Sequence, residues 1–434
     1  LLASCGSPGN PTPSGSPTGS PTGGQPTDPA SPTDGTPSAT PTDLPPTATP
    51  TPIELPGSYP TPDPGQDLHD VNDYFGPLPV VASPVPPKRN EARALYIGAC
   101  GNLAKNVEIV ENSPLLNVLV VDIKESNAVY IPTKNELALE IGAYKGAAYD
   151  VENLVRICRE KGITLIGRIV VFKDPILAEA RPDLCIRDKA GNSLYFTNEG
   201  KKPFVNPYRQ EVWDYNIALA IEAIEMGFDE IQFDYVRFPT GGTTTGEKPY
   251  FGETDWVPAR YEVINRFLQK SRVLLTDQFG VPLGADVFAI IVSSKSDGER
   301  IGQDWATVGL TGIDNVAPMI YPSHYANSST THYSGNGKGT MLNGVHFTHP
   351  DLEPYKVLYN CLVLAQPAAS QEGYAAVRTY LQAFTASYLP KGYYIEYGPA
   401  EIKAQIKAIQ DAGFKEWICW NPRASYDASA FDGK

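Results

Sequence analysis

The sequence predicts an α/β fold, a (β/α)8 TIM barrel preceded by a disordered Pro/Thr-rich tether. Three observations carry the prediction. From residue 89 onward, eight short apolar strands alternate with amphipathic helices, the pattern of βαβ units feeding a parallel sheet. Four helices run into a glycine, Gly162, Gly227, Gly280 and Gly413, and a strand follows almost at once. A helix C-terminus needs a residue tolerant of left-handed backbone there. The third is composition: most of the 41 prolines precede Arg89, in a stretch too poor in apolar residues to bury a core. Eight strands in about 340 residues fit a barrel with insertions, whereas a doubly wound sheet rarely needs eight in such strict alternation.

Residues 1–5, Leu1-Leu2-Ala3-Ser4-Cys5, have the form of a bacterial lipobox, the tail of a signal peptide in which Cys5 becomes lipidated. Residues 6–88 read as a Pro/Thr/Ser-rich disordered linker with repeats such as SPTGSPTGG and TATPTP. In extended polyproline form, at roughly 3 Å per residue, its stretch from Gly6 to about Pro64 reaches on the order of 150 Å. Within it, Asp67–Pro87 is transitional and a candidate strap against the domain. Residues 89–434 form the barrel domain, expected to fold without the tether. Its strands are expected at Ala92–Ala99, Asn117–Lys124, Ile163–Lys173, Phe228–Tyr235, Pro282–Phe288, Asn315–Tyr321, Val377–Phe384 and Phe414–Asn421. The clearest helices are Val151–Lys161, Arg209–Met226, Pro258–Phe279 and Pro399–Ala412. Ser323–Pro354, rich in Gly, Asn, Ser, Thr, Tyr and His, reads as a substrate-facing loop.

Charge and composition exclude several functions. A net charge of -14 argues against nucleic acid, because phosphate binding needs clustered Lys and Arg. No apolar run is long enough to span a bilayer, so lipid on Cys5 is the expected membrane attachment. The expected location is extracytoplasmic and anchored to the bacterial cell membrane. Five cysteines remain beside Cys5, with no C-x-x-C spacing. That is neither a disulfide framework nor a zinc site; it leaves room for one bridge beside buried free thiols. Of His69, His324, His332, His346 and His349, only His324 lies near a strand end, which speaks against a metal-dependent hydrolase. No cofactor is expected.

In a barrel of this kind chemistry gathers at the C-terminal ends of the strands. Strand side chains alternate, so Ile231, Phe233 and Tyr235 face one way and Gln232 and Asp234 the other. The same alternation sets Asp122 against Leu119, Val121 and Ile123, and Asp286 against Ala285 and Val287. Three apolar strands that each point one aspartate inward bring Asp122, Asp234 and Asp286 to one mouth. A lone aspartate there would read as a helix cap or a structural ion pair with Arg168 or Arg237. Three together fit an acid and a nucleophile whose pKa values are driven apart by burial and like charge. Met319, Tyr321 and His324 end the sixth strand, Gln382 lies in the seventh, and Trp417, Trp420 and Asn421 lie in the eighth. Trp417 reads as core, and Trp420 as core or as a sugar-stacking platform.

The segment FDEIQFDYVRFP (Phe228–Pro239) resembles the bacterial family named "Putative glycosyl hydrolase domain", a barrel related to the α-amylase superfamily. VVDIKES around Asp122, GRIVVFKDP around Arg168, GADVFA around Asp286, MIYPSHY around Tyr321 and WICWNP extend the resemblance over most of Arg93–Pro422. The resemblance implies glycosidase chemistry with the strand-four aspartate, Asp234, as nucleophile. The superfamily's strand-five acid is usually Glu, and Asp286 stands there. Strand four also resembles chitinase-like barrels, whose motif ends in a catalytic Glu; the matching position is Val236, which disfavours that mechanism, although Met319 and Tyr321 echo the chitinase sixth strand.

The expected function is therefore a glycoside hydrolase acting on a cell-surface or environmental polysaccharide. Asp234 is its nucleophile or electrostatic stabiliser, Asp286 its acid/base and Asp122 the alternate. Arg168 and Arg237 would keep Asp234 ionised, and Tyr321, His324, Gln382, Trp420 and Asn421 would bind sugar. The alternative is a non-catalytic carbohydrate-binding lipoprotein on the same scaffold. Cys5→Ala in the full precursor is expected to move the protein from the membrane to the soluble fraction on cell fractionation. Persistent membrane association of that variant would remove the lipid anchor.

Overall fold

The computed structural model describes residues 58, 59, 62, 65–252, 256–332 and 334–433. Lipidation at Cys5 and the linker as far as residue 57 lie outside these residues. Eight strands follow in order: β1 (Arg93–Gly98), β2 (Val118–Glu125), β3 (Thr164–Val170), β4 (Glu230–Asp234), β5 (Leu283–Phe288), β6 (Asn315–Met319), β7 (Ala376–Gln382) and β8 (Glu416–Trp420). Each falls inside or within a residue of its expected span. All neighbours pair in parallel, and β1 pairs with both β2 and β8, closing the sheet into a (β/α)8 barrel.

Six helices of ten or more residues occur among the described residues: α1 (Leu103–Asn112), α2 (Val151–Lys161), α3 (Gln210–Met226), α4 (Arg260–Ser271), α5 (Pro354–Ala369) and α6 (Pro399–Asp411). The α2 sequence shows why. Val151, Leu154, Val155 and Cys158 recur at helical spacing and are buried, Asp150 caps Asn153 N–H, and Gly162 ends the helix at φ 64°. Between β5 and β6 only short helices occur, the longest being Lys295–Ile301. The loop read at Ser323–Pro354 contains a small hairpin, Thr340–Leu342 with Val345–Phe347. All five cysteines among the described residues are free thiols.

The barrel interior is layered. At its N-terminal end Arg378 bonds Glu230 and Glu416, and Asn315 donates to Glu230 at 2.8 Å. Asn315 reaches across β5 because Gly284 has no side chain; a Cβ there would lie 2.3 Å from Asn315 Oδ1. Above this layer Ala94, Val118, Val120, Ile166, Ala317 and Ile418 fill the barrel. The charged and aromatic layer at the C-terminal ends comes last.

The folded unit begins before Arg89. Residues 65–88, placed in the linker by composition, pack on the barrel, so the strap read at Asp67–Pro87 is present and the boundary at Arg89 lies too late. A short helix, Val71–Phe75, buries Phe75 against Trp213 at 4.8 Å between ring centroids. Arg266 donates to Asn72 at 2.8 Å, Gln210 to the Phe75 carbonyl at 3.0 Å, and Val85 N–H to the Asp277 carbonyl at 2.7 Å. Further upstream, Lys270 donates to the Tyr59 hydroxyl at 2.7 Å. Two aromatic residues and a few backbone groups suffice to dock the strap, and average composition hides them among prolines. A chain beginning at Arg89 is accordingly expected to melt at least about 2 °C below one beginning at residue 58, since burying a Phe alone is worth roughly 1.5–3 kcal/mol. Equal melting temperatures would show that the strap adds nothing.

Candidate active site

Arg168, pointing inward from β3, is the centre of the site. Its Nη2 lies 2.6 Å from Asp234 Oδ2, and its Nη1 lies 2.6 Å from Asp122 Oδ1 and 3.1 Å from Glu125 Oε1. Its Nε donates to Asp234 Oδ2 at 3.0 Å and stands 4.0 Å from Asp286 Oδ2. Asp122, Asp234 and Asp286 thus meet at the mouth of the barrel. Tyr96 donates to Asp122 at 2.6 Å, and Tyr380 to Asp286 at 3.2 Å. The Gln232 amide also donates to Asp286.

The four carboxyl groups differ in environment. Burial, and then the neighbouring charge of Asp234, push the Asp286 carboxyl well above its ordinary value. Burial likewise raises Asp122, against the pull of Arg168. Burial works on Glu125 too, but Arg168 and the hydrogen bonds from Ser126 outweigh it and hold that carboxyl below its usual range. Their side-chain exposures are 23% for Glu125, 6% for Asp234, 4% for Asp122 and 0% for Asp286.

Glu125 was not legible in the sequence. Strict alternation from Asp122 would turn it outward. The pairing of β2 with β3 slips between Asp122↔Arg168 and Lys124↔Ile169, so Ile123 is an extra residue, a β-bulge. The bulge sends Lys124 to Asp174, at 2.9 Å, and turns Glu125 inward. Tyr96 and Tyr380 were missed as well; their inward parity in β1 and β7 was the available signal.

Several expected substrate contacts are placed differently. Arg237 is not on Asp234. Its guanidinium bonds Glu199 at 2.9 Å, and Arg168 alone of the two arginines pairs with Asp234. Gln382 is buried and fully engaged: its Oε1 accepts from Ser323 at 2.8 and 3.1 Å, and its Nε2 donates to Asp351 at 2.9 Å. It therefore ties the loops after β6 and β7 together and has no group left for sugar. Asn421 anchors its own loop, donating to the Ala383 carbonyl and accepting from Arg423 N–H at 2.8 Å. Tyr321, His324 and Trp420 do stand at the mouth. The Tyr321 ring lies 5.7 Å from Trp420 and 4.9 Å from His324, and Trp420 stacks on Tyr96 at 6.0 Å. Desolvation lowers the His324 imidazole to about 4, so it is neutral near pH 7. Trp417 is core, as expected.

Among the described residues no cluster of His, Cys, Asp and Glu could hold a metal ion, and no helix is long and apolar enough to cross a membrane. A cavity of ≈310 Å³ between the strap and the loops after β3 and β4 is lined by Tyr59, Tyr74, Tyr208 and Phe251. It contains none of the carboxylates, so chemistry rather than volume marks the site.

A closed parallel barrel with acids gathered round an arginine at its C-terminal end has its candidate site where barrel enzymes carry theirs. The chain belongs to the family described as "Putative glycosyl hydrolase domain", whose model matches residues 94–426. No curated protein matches it in sequence. Among solved structures, a hypothetical protein from Ruminiclostridium thermocellum is 34% identical, covering 44% of this chain and 97% of its own, with a TM-score of 0.39. The glycoside hydrolase domain of PgaB (BpsB) from Bordetella bronchiseptica is 10% identical, covering 78% and 95%, with a TM-score of 0.51; it shows the same fold. The α-galactosidase TtGalA from Thermus thermophilus is 13% identical, covering 80% and 61%, with a TM-score of 0.47.

The raised Asp286 carboxyl has a consequence for stability. Above the ordinary carboxylate value of about 3.9, the unfolded chain releases this proton while the native state keeps it, so stability is lost as pH rises towards the folded pKa. Asn cannot ionise. The melting temperature of Asp286→Asn minus that of the parent should therefore grow as pH rises from about 4. A difference that stays flat with pH would mean that Asp286 is a carboxylate throughout.

Proposed function

We propose that this protein hydrolyses glycosidic bonds of a cell-surface or environmental polysaccharide, with Asp234 as nucleophile and Asp286 as acid/base. The observation that carries the reading is the position of Arg168 Nε, 3.0 Å from Asp234 Oδ2 and 4.0 Å from Asp286 Oδ2. Asp234 is paired with the cation, whereas Asp286 lacks a direct cationic bond and is pushed well above the ordinary carboxylate value by burial and by Asp234, which favours its protonated form. One group is thus suited to attack or stabilise an anomeric cation, the other to protonate a leaving group. The two oxygens can be no more than 7.0 Å apart, the sum of those distances. That limit accommodates the roughly 5–5.5 Å of retaining enzymes and leaves only the lower edge of the inverting range of about 6.5–9.5 Å. We therefore favour retention through a glycosyl-enzyme ester on Asp234. The aromatic mouth formed by Tyr96, Tyr321 and Trp420 suits the apolar faces of sugar rings. In this reading, lipid on Cys5 and the Pro/Thr-rich linker hold the barrel outside the membrane, within reach of the polysaccharide.

One observation favours a second assignment of the acid/base. Glu125 is the most exposed of the four carboxylates, at 23% against 0% for Asp286. Its exposure leaves it open to a leaving group from solvent. Variants separate the two, because an acid/base variant keeps its first step on aryl glycosides with good leaving groups and loses it on natural glycans. Whichever of Asp286→Asn and Glu125→Gln shows that pattern marks the acid/base.

Asp234→Asn removes charge but little volume. Hydrolysis by the folded variant should fall about a thousandfold or more, with glycan binding changed far less, since the lost interaction belongs to the transition state. The assay takes a polysaccharide panel first, then kinetics and glycan retention. Near-parental turnover by folded Asp234→Asn would remove Asp234 from the mechanism. Glycan retention by a parent protein that cleaves no member of the panel would instead favour the non-catalytic carbohydrate-binding reading.

A further inference from the structure

Asp234 is followed by a residue in an unusual conformation. Tyr235 has a φ of 52°, in the left-handed region that a side chain with a Cβ enters only at a cost the surroundings must offset. The surroundings are specific. Two cations lie over the Tyr235 ring, Lys173 Nζ at 4.8 Å and the Arg237 guanidinium at 4.7 Å from its centroid. Both are tethered to one buried carboxylate, Glu199, at 3.3 Å from Lys173 and 2.9 Å from Arg237. Thr240 adds its N–H at 2.9 Å and its hydroxyl at 2.7 Å. Burial would raise the Glu199 carboxyl, but Arg237 and Lys173 prevail and hold it at about 2, so this carboxylate stays charged near neutral pH.

The left-handed turn has a geometric product. It directs Tyr235 N–H back onto Asp234 Oδ1 at 2.5 Å, while Arg168 holds Oδ2. Both oxygens of Asp234 are thereby fixed. Tyr235 O also accepts from Phe172 N–H at 3.3 Å, linking the turn to the end of β3. We propose that Tyr235, clamped by Lys173, Arg237 and Glu199, is a positioning residue that aims the Asp234 carboxylate through its left-handed backbone. The proposal rests on Asp234 being the catalytic carboxylate. It gives Arg237 a part at the site through the Tyr235 ring, although Arg237 makes no bond to Asp234.

Three variants test it. Tyr235→Phe keeps the ring under the cations and should retain kcat within about twofold. Tyr235→Ala loses the clamp and should lower kcat about tenfold to a hundredfold with KM within about threefold, because a misaimed group affects rate before binding. Tyr235→Gly should be about fivefold or more faster than Tyr235→Ala, since glycine takes the left-handed conformation without a Cβ penalty. A ring that touched sugar would give the opposite pattern, with KM raised and Gly no better than Ala. A second readout needs no substrate: in protein labelled at aspartate Cγ with 13C, the resonance that Asp234→Asn abolishes should broaden in Tyr235→Ala and sharpen again in Tyr235→Gly and Tyr235→Phe. Parental kcat and an unchanged resonance in Tyr235→Ala, beside an inactive Asp234→Asn, would overturn the positioning role and leave Asp234 standing. Parental turnover by Asp234→Asn would overturn the catalytic reading itself.

Discussion

A single guanidinium at the end of the third barrel strand holds the mouth of this protein together. Arg168 bonds Asp122, Glu125 and Asp234 and lies over the Tyr96 ring at 5.6 Å. Four carboxyl groups taken out of water around one cation cannot all ionise without a large desolvation cost. Burial and the charge of Asp234 push Asp286, the group without a direct bond to the cation, well above the ordinary carboxylate value. The carboxyl groups are thus set apart by the balance between burial and the reach of the planar fork of one arginine: Asp122 is raised although Arg168 bonds it, whereas Glu125 is lowered.

The opposite end of the barrel shows the same chemistry used differently. There Glu230 and Glu416 are matched by Arg378 and Arg89, with Asn315 supplying a further donor. Carboxylates and cations there balance two to two. Such a closed layer fixes strand register, because loss of one member leaves a buried charge unpaired. The imbalance at the mouth sets it apart from this base. It also suits a site whose missing donors can come from the hydroxyl groups of a sugar.

Around the mouth, support residues outnumber those open to a ligand. Gln382 is spent on Ser323 and Asp351, and Tyr397 donates to the Asp351 carbonyl at 3.1 Å, so the loops after β6 and β7 form one body. Burial raises Asp351 to about 6, and its hydrogen bonds from Gln382 and Ile395 N–H take the place of a cation. Tyr321, His324, Phe384 and Trp420 rest on that body as a packed aromatic set. Rings held this rigidly lose little freedom when they meet a ligand, which favours recognition by shape.

The sequence by itself determined the strand–helix alternation, the eight strands to within a residue or so and, through two-residue periodicity, the convergence of Asp122, Asp234 and Asp286. These are local properties, set by burial on one face of a strand and by glycine at helix ends. Periodicity ran out at the bulge in β2, where one extra residue turned Glu125 into the site. Composition flagged Asp67–Pro87 as a candidate strap but not its anchor Phe75, whose burial depends on Trp213, more than a hundred residues away. Arg237 shows the remaining limit most plainly. Three residues from Asp234 in the chain, it turns instead to Glu199, on the excursion after β3. Only tertiary structure decided that pairing, because an ion pair forms with whichever charge the fold brings within reach, and distance along the chain does not say which that is.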